Sequence, residues 1–318
     1  MDRARDADQT ARPLEPPSTG AGVGRAKYPR SMAKPVRIAT VNVNGVRASF
    51  RNGMGAWLDG RGVDILAMQE VRASTEDLEG LLGPEWDILH DAATAKGRAG
   101  VAIASRAASA SGKASIHRVT LGADDFDSAG RWLEADYEVG GRIVTVVSTY
   151  VHSGVADDAA KMAEKWKFLE AMEARLPELA AHSDYALVVG DLNVGHRELD
   201  IRNWRGNRKQ AGFLPRERSY FDRFFGPVGE PVTGVDGTVG PGHGWVDVGR
   251  QWAGEVDGPY TWWSQRGQAF DADTGWRIDY HMATPALAAA AKHYVVDRAE
   301  SHDKRWSDHA PVVVDYDL

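Results

Sequence analysis

Not one of the 318 residues is cysteine, which removes disulfides, zinc–thiolate centres and a cysteine nucleophile from consideration. Any metal must then be held by oxygen or imidazole, a donor set that favours magnesium, manganese or calcium. Acidic loop repeats of the D-x-D-x-D-G kind are missing as well, which argues against a calcium-dependent structural protein. No stretch approaches the roughly 18–20 consecutive apolar residues of a membrane span. No apolar core follows the basic residues of the opening MDRARDADQT, so no secretory signal is expected. The expected setting is the cytoplasm, on the nucleoid if the source is bacterial, with no membrane partner.

Net positive charge is lacking too: the chain carries −7, which looks wrong for a nucleic-acid partner. Net charge is a weak guide where charge is segregated. Between Arg197 and Arg223 stand eight Arg or Lys against four Asp or Glu, a local excess of +4 that leaves −11 for the rest. The pattern suits a basic, DNA-facing loop on an acidic body whose carboxylates hold metal, although a solvated charged surface is the default for such a run. A hydrophobic share of 43% and a charged share of 26% fit a globular chain of one large domain or two small ones.

Residues 1–34 are rich in Pro, Gly, Ala and alternating charge without a hydrophobic period, and read as a disordered tail upstream of a single domain over 35–318. Met32 is an alternative start. The alternation of Val36 to Val41 predicts a strand ending at Asn42, and a helix is expected around Met54–Gly60, then a strand over Val63–Gln69. Strands follow at Gly100–Ser105, Arg131–Val139 and Arg142–Tyr150, the last two joined by the hairpin signal Gly140-Gly141. From Asp157 to about Ala181, Met162, Trp166, Leu169, Met172 and Leu176 recur at helical spacing. A buried strand from Tyr185 to Gly190 runs into Asp191, and further strands are expected at Trp245–Val248, Tyr260–Trp263, Arg277–Ala283 and Ala310–Tyr316. Alternating strands and helices, with hairpins in the middle and no internal repeat, favour a layered α/β sandwich over a solenoid or barrel.

Several of these hydrophobic strands end in a side chain suited to phosphate or metal: Asn42, Glu70, Tyr150, Asp191 with Asn193, Asp279, and Asp308 with His309. Strand C-terminal ends share one edge of a sheet, so residues far apart in sequence can converge there. Phosphodiester hydrolysis needs a cation against the developing charge, a base for the water and stabilisation of the leaving oxygen. Carboxylates such as Glu70 and Asp191 suit a hard cation. The amides of Asn42 and Asn193 and the Tyr150 phenol can bond phosphate oxygens without adding repulsion. Singly, each has a plainer reading: Asn42 or Tyr150 as a turn or surface residue, Glu70 as an exposed strand end, Asp191–Asn193 as an Asx turn, and Asp308–Pro311 as a turn. Together the plain readings require several coincidences.

The segments Thr40-Val41-Asn42-Val43-Asn44-Gly45-Val46-Arg47-Ala48, Leu66-Ala67-Met68-Gln69-Glu70, Gly190-Asp191-Leu192-Asn193, Trp276-Arg277-Ile278-Asp279-Tyr280 and Ser307-Asp308-His309-Ala310-Pro311 resemble, in order, the motifs of the exonuclease III-type abasic-site endonucleases. These enzymes belong to the endonuclease–exonuclease–phosphatase superfamily. The stretch Leu199–Trp204 through Gly212–Pro215 resembles the DNA-repair branch in particular. The resemblance implies a four-layer, deoxyribonuclease I-like α/β sandwich, two face-to-face mixed β-sheets flanked by helices, with a site at one edge. It implies Mg2+ as cofactor, with Mn2+ as substitute, held among Asn42, Glu70, Asp191, Asn193, Asp308 and His309; Glu70 is the main ligand with Asn42 beside it. Asp191 would activate the attacking water or assist the leaving group, while Asn193 and Tyr150 hold the phosphate. His309, oriented by Asp279, would contact a phosphate oxygen.

The implied activity is incision of double-stranded DNA 5′ to abasic sites to leave a 3′-hydroxyl and a 5′-deoxyribose phosphate. Side activities as 3′→5′ exonuclease and 3′-phosphatase on blocked 3′ ends go with it, and the enzyme is expected to be a monomer. Trp262, Trp276 and Ile278 match a small apolar pocket that takes a flipped sugar lacking its base and excludes an intact nucleotide sterically. Arg202, Arg205, Arg208 and Lys209 would grip the backbone around the lesion, with Arg216 and Arg218 as weaker candidates. One departure stands after Tyr150: relatives commonly carry Pro, then an amide or Ser, then Gly, where this chain has Val151-His152-Ser153-Gly154. Inositol-phosphate or sphingomyelin hydrolysis within the superfamily is disfavoured by the Arg202–Pro215 stretch and the two tryptophans. A catalytically dead damage-binding module is disfavoured because Glu70, Asp191, Asn193 and His309 are all present.

Overall fold

The computed structural model describes residues 35–95, 97–106, 115–118 and 129–318; the expectation for residues 1–34 lies outside them. The first half of the chain forms β1 (Val36–Asn42), α1 (Val46–Arg51), α2 (Met54–Arg61), β2 (Ile65–Gln69), α3 (Thr75–Leu82), β3 (Trp86–Asp91), β4 (Val101–Arg106), β5 (Ser115–Arg118), β6 (Trp132–Val139) and β7 (Arg142–Tyr150). Next come α4 (Ala159–His182), β8 (Tyr185–Asp191), α5 (Trp204–Asn207), α6 (Pro215–Phe225) and a small hairpin of β9 (Pro231–Thr233) and β10 (Val239–Pro241). The chain closes with β11 (Val246–Asp247), α7 (Val248–Ala253), β12 (Asp279–Ala283), α8 (Pro285–Ala290), β13 (Ala291–Val296) and β14 (Val312–Tyr316).

Two six-stranded mixed sheets result, in the orders β13-β14-β1-β2-β4-β3 and β11-β12-β8-β7-β6-β5. Period-two alternation gives every central strand two buried faces. Ile38, Ile65, Ala67 and Ile103 of the first sheet meet Leu133, Val144, Val146, Leu187 and Val189 of the second, forming the core between the sheets. Their alternating neighbours Ala39, Val41, Leu66 and Met68 face α1, α2 and α3. On the second sheet Val147, Ala186 and Val188 face Phe168, Leu169, Met172 and Leu176 of α4 and Phe221 and Phe224 of α6. Helix, sheet, sheet, helix makes four layers.

Each sheet contains one parallel pair, and both pairs lead to the same edge. Strands β1 and β2 run parallel with Asn42 opposite Gln69, and β7 and β8 run parallel with Tyr150 opposite Asp191. Strand β12 is antiparallel to β8, with Asp279 opposite Asp191, and β14 is antiparallel to β1. Asp279 therefore stands at a strand's start, and Asp308 and His309 precede one; antiparallel direction, not a shared C-terminal end, brings them to the edge. This corrects the expectation that all these residues end their strands.

The expected helix over Asp157–Ala181 forms as α4, opened by Asp158, whose side chain accepts from the amides of Ala160 and Lys161. Tyr260–Trp263 is not a strand. The amides of Thr261 and Trp262 both turn to the Trp276 carbonyl, leaving only isolated bridges. The strand expected from Arg277 begins two residues later, because the buried Arg277 guanidinium is drawn to Asp200 and Asp247. Asp247 also caps α7 through the Arg250 amide, which shortens the expected Trp245–Val248 strand to Val246–Asp247.

Candidate active site

Asn42 sits at the junction of the two sheets, fully buried. Its amide nitrogen donates to Glu70 Oε1 at 2.8 Å and to Asp191 Oδ2 at 2.9 Å, joining one carboxylate from each sheet. Beneath it, the buried side chains of Gln69 and Ser148 bond across the sheets at 3.0 Å. Asn193 turns back on Asp191: its backbone amide donates to Oδ1 at 3.0 Å, and its side chain donates to Oδ2 at 3.2 Å and to the Val151 carbonyl at 2.9 Å. His309 Nδ1 lies 2.9 Å from Asp279 Oδ2, and its Nε2 lies 3.8 Å from Asp191 Oδ2. Asp308 accepts from Asn44 Nδ2 at 2.9 Å and from Trp262 Nε1 at 3.2 Å. Tyr150 stands beside this group with the Arg131 guanidinium 4.5 Å over its ring. Every residue expected to work on phosphate or metal is thus within one cluster.

The charges of this cluster are interdependent. Burial pushes the Asp191 carboxyl up to about 7; His309 pulls against that and Asp279 adds to it. Burial alone would lower the His309 imidazole, but the carboxylates of Asp279 and Asp191 outweigh it and hold the ring up at about 10. Burial, followed by the carboxylates of Glu70 and Asp191, pushes the Tyr150 phenol far above its ordinary range, so it stays a neutral hydroxyl.

A hard divalent cation fits this donor set. Four carboxylates, Glu70, Asp191, Asp279 and Asp308, face the cations Arg72 and His309, with Arg131 behind Tyr150. The result is an excess of negative charge in a half-enclosed space. Asp191, Asp279 and His309 each place a ligand atom within 4.8 Å of the others. His309 is the weakest ligand of the three, because a ring that keeps its second proton has no lone pair to give. Oxygen donors from Glu70, Asp191, Asp308 and the Asn42 amide suit magnesium-type coordination better. Asp279 Oδ1 is buried without a hydrogen-bond partner among the described residues.

Glu70, Tyr150, Asp191, Asn193, Asp308 and His309 open into a pocket of about 440 Å³ that Trp262, Trp276 and Ile278 also line. The two indoles pack edge to face, centroids 6.0 Å apart and planes at 89°. Backbone bonds in both directions between Trp262 and Trp276 lock them together. The basic run borders the same wall, for Ile201 bridges Trp276 and the Arg202 amide bonds the Gly275 carbonyl. Its cations divide. Arg202 is paired with Asp257 at 3.0 Å, Arg216 with Glu170 at 3.0 Å, and Arg218 donates to the His196 carbonyl at 2.7 Å. Arg205 and Arg208 flank the Trp204 ring and, with Lys209, are exposed with no ion pair among the described residues.

Sequence reasoning left out three residues of this site. Asn44, quoted within a motif, lines the pocket and holds Asp308, and Arg72 pairs with Glu70. Arg131 carries Tyr150. Asn44, Glu70, Arg72 and Asn193 all have positive φ, between 46° and 51°. Such backbone is costly for a residue with a side chain and gathers at functional sites. For Asn44 the signal was available, since it lies two residues beyond Asn42. For Arg72 and Arg131 nothing in local pattern marks them.

Residues 39–309 match the model of the Endonuclease/Exonuclease/phosphatase family. The chain is 30% identical over 280 residues to an exodeoxyribonuclease of Bacillus subtilis, covering 87% of this chain and 98% of that one. It is 25% identical over 303 residues to a DNA-(apurinic or apyrimidinic site) endonuclease of Dictyostelium discoideum, covering 95% of this chain and 76% of the relative. Among solved structures, an AP endonuclease from Archaeoglobus fulgidus shares 26% identity at a TM-score of 0.69, covering 89% of this chain and all of that one (100%). The two mixed sheets flanked by helices match the deoxyribonuclease I-like architecture of the AP endonuclease structure. On motif order, sheet topology and similarity over nearly the full described chain, the protein belongs to the endonuclease/exonuclease/phosphatase family.

Proposed function

We propose that this chain is a metal-dependent phosphodiesterase of DNA base-excision repair that incises 5′ to abasic sites, leaving a 3′-hydroxyl, with 3′→5′ exonuclease and 3′-phosphatase side activities. One observation carries the reading: the carboxylate–imidazole cluster and the Trp262–Trp276–Ile278 wall share a single pocket. The names of the relatives, exodeoxyribonuclease and AP endonuclease, support the same class of reaction. Residues 35–318 act as one catalytic domain, working as a monomer in the cytoplasm, where a nucleoid would present the substrate.

Magnesium, or manganese in its place, would be held by Glu70 with Asn42, Asp191 and Asp308 nearby, and would offset the charge that develops on the phosphate. Asp191, whose carboxyl burial pushes up, takes a proton from the attacking water and passes it to the leaving 3′-oxygen as the P–O3′ bond breaks. Charged His309, steadied by Asp279, donates from Nε2 to a phosphate oxygen. Asn193 and the neutral Tyr150 hydroxyl donate to the remaining phosphate oxygens and fix the group in line. Trp262, Trp276 and Ile278 enclose a flipped deoxyribose without its base, and a base on that sugar would collide with the indoles. Arg202, Arg205, Arg208 and Lys209 hold the flanking backbone, Arg202 after release from Asp257.

A labelled duplex with one abasic-site analogue tests this, assayed with magnesium beside an undamaged duplex. Cleavage on the 5′ side of the analogue is expected. Equal cleavage of both duplexes would remove the lesion specificity, and no cleavage of either would remove the nuclease reading.

A further inference from the structure

Behind the pocket lies an ion pair whose two side chains are both fully buried: Lys165 of α4 and Glu217 of the first turn of α6. Lys165 occupies the apolar stripe of its helix, among Met162, Phe168, Leu169 and Met172. An apolar side chain there would complete the packing without the desolvation that a buried ammonium costs. The ammonium has three donors, and all three are used. They reach Glu217 Oε1 at 2.5 Å, the Asn193 carbonyl at 2.9 Å and the Ser153 carbonyl at 3.1 Å. Glu217 in turn accepts from the Gly212 amide at 2.8 Å and the Leu214 amide at 2.7 Å.

The pair therefore ties together three separate loops, and each of them lines the pocket through Ser153 and Gly154, Asn193, or Ala211 and Gly212. Gly212 transmits the arrangement to the aromatic wall. A Cβ on it would lie 2.9 Å from Trp276 Cζ3, so backbone and indole are in direct contact.

We propose that Lys165 and Glu217 are positioning residues for the reaction. Through hydrogen bonds to four backbone groups they set Asn193 and the Trp276 wall at the separation catalysis needs, rather than serving core stability. This rests on the phosphodiesterase reading above.

The test compares the unaltered protein with Lys165→Met, Glu217→Gln and the double variant Lys165→Met/Glu217→Leu. Measurements are thermal melting, kcat and KM on the abasic-analogue duplex, and amide hydrogen exchange at Gly212 and Leu214. A single substitution strands a buried charge and destabilises, whereas replacing both partners by apolar groups is often neutral. The double variant is therefore expected to melt above either single variant and below the unaltered protein, by what the four backbone groups left unpaired cost. Its kcat should nevertheless stay down about 100-fold, the scale of an ångström-sized misplacement, with KM within about threefold and faster exchange at both amides. Recovery of kcat along with the melting temperature would overturn the proposal, as would single variants with unaltered kcat. If the unaltered protein cuts no DNA, the phosphodiesterase reading falls by itself. The exchange measurement then still decides the pair, and protection of Gly212 and Leu214 unchanged in the double variant would overturn it.

Discussion

Asp191 is the residue on which the site's bonds converge. Asn42, Asn193 and His309 all address its two oxygens, so its charge and its position are set together. Replacing it with asparagine keeps the size and removes the basic oxygen. Asp191→Asn is expected to lower the rate of cleavage about 10³-fold with an unchanged circular-dichroism melt; a loss under tenfold would move the base elsewhere. The pocket wall predicts a different signature. Trp276→Ala removes the surface that a base would strike, so cutting of the undamaged duplex should fall less than cutting beside the lesion. The ratio of the two should drop by roughly tenfold, within the range a hydrophobic pocket can discriminate. Equal losses on both substrates would detach Trp276 from lesion choice. At this scale the sequence was legible where a polar residue closes a hydrophobic strand, as Asn42, Tyr150 and Asp191 do. It was silent on Arg72 and Arg131, whose parts depend on neighbours distant in the fold. Lys165 is intermediate: a lone cation on the Met162–Leu169–Met172 stripe breaks the helical period and could have been flagged.

Among elements, the two interior parallel pairs do most to build the site, and Gly190 shows how closely they are packed. It has φ +139° opposite Thr149, and a Cβ on it would meet the Thr149 carbonyl oxygen at 2.0 Å. Gly190→Ala must therefore spread β7 from β8 one register step before Tyr150 and Asp191. A destabilisation of about 3 kcal/mol or more is expected from denaturant melts, at the large end for single substitutions; a cost below about 1 kcal/mol would mean that the strands yield freely. Strands with buried faces were readable locally, Val36–Val41 from its alternation and Tyr185–Gly190 from its apolar run. Elements defined by partners were not. Tyr260–Trp263 has strand composition yet spends the amides of Thr261 and Trp262 on one carbonyl of Trp276, and the register of Arg277 is decided by Asp200 and Asp247. Helices α3 and α6 and strand β13 went unread: α6 carries charges through its aromatic stripe, and β13 is a half-exposed edge.

For the molecule as a whole, the net charge of −7 conceals a division of labour. Negative charge gathers at the cluster that suits a cation, and the exposed Arg205, Arg208 and Lys209 follow in sequence the Ile201–Arg202 segment that bonds the Trp276 wall. Neutralising these three together should weaken duplex binding whatever the sequence or lesion. The slope of log affinity against log salt should become shallower by about 1 for each phosphate left without its cation; an unaltered slope would place the DNA on another face. Among the described residues no helix is long and apolar enough to cross a membrane. A layered α/β sandwich was readable from the alternation of strands and helices, whereas the four-layer order came with the family resemblance that the motifs carry. The meeting of both sheets at Asn42 was not readable, since nothing local states which face of one sheet covers the other.

On the proposed reading, one pocket joins a cation-dependent hydrolytic cluster to a wall that selects a missing base. The most direct measurement of that union is cleavage of a labelled duplex with a single abasic-site analogue, first with magnesium and then with chelator, beside the undamaged duplex and the Asp191→Asn variant. Incision on the 5′ side of the analogue that leaves a 3′-hydroxyl, stops with chelator and is lost in the variant is the predicted result. Incision that persists in chelator, or that the variant retains, would contradict it.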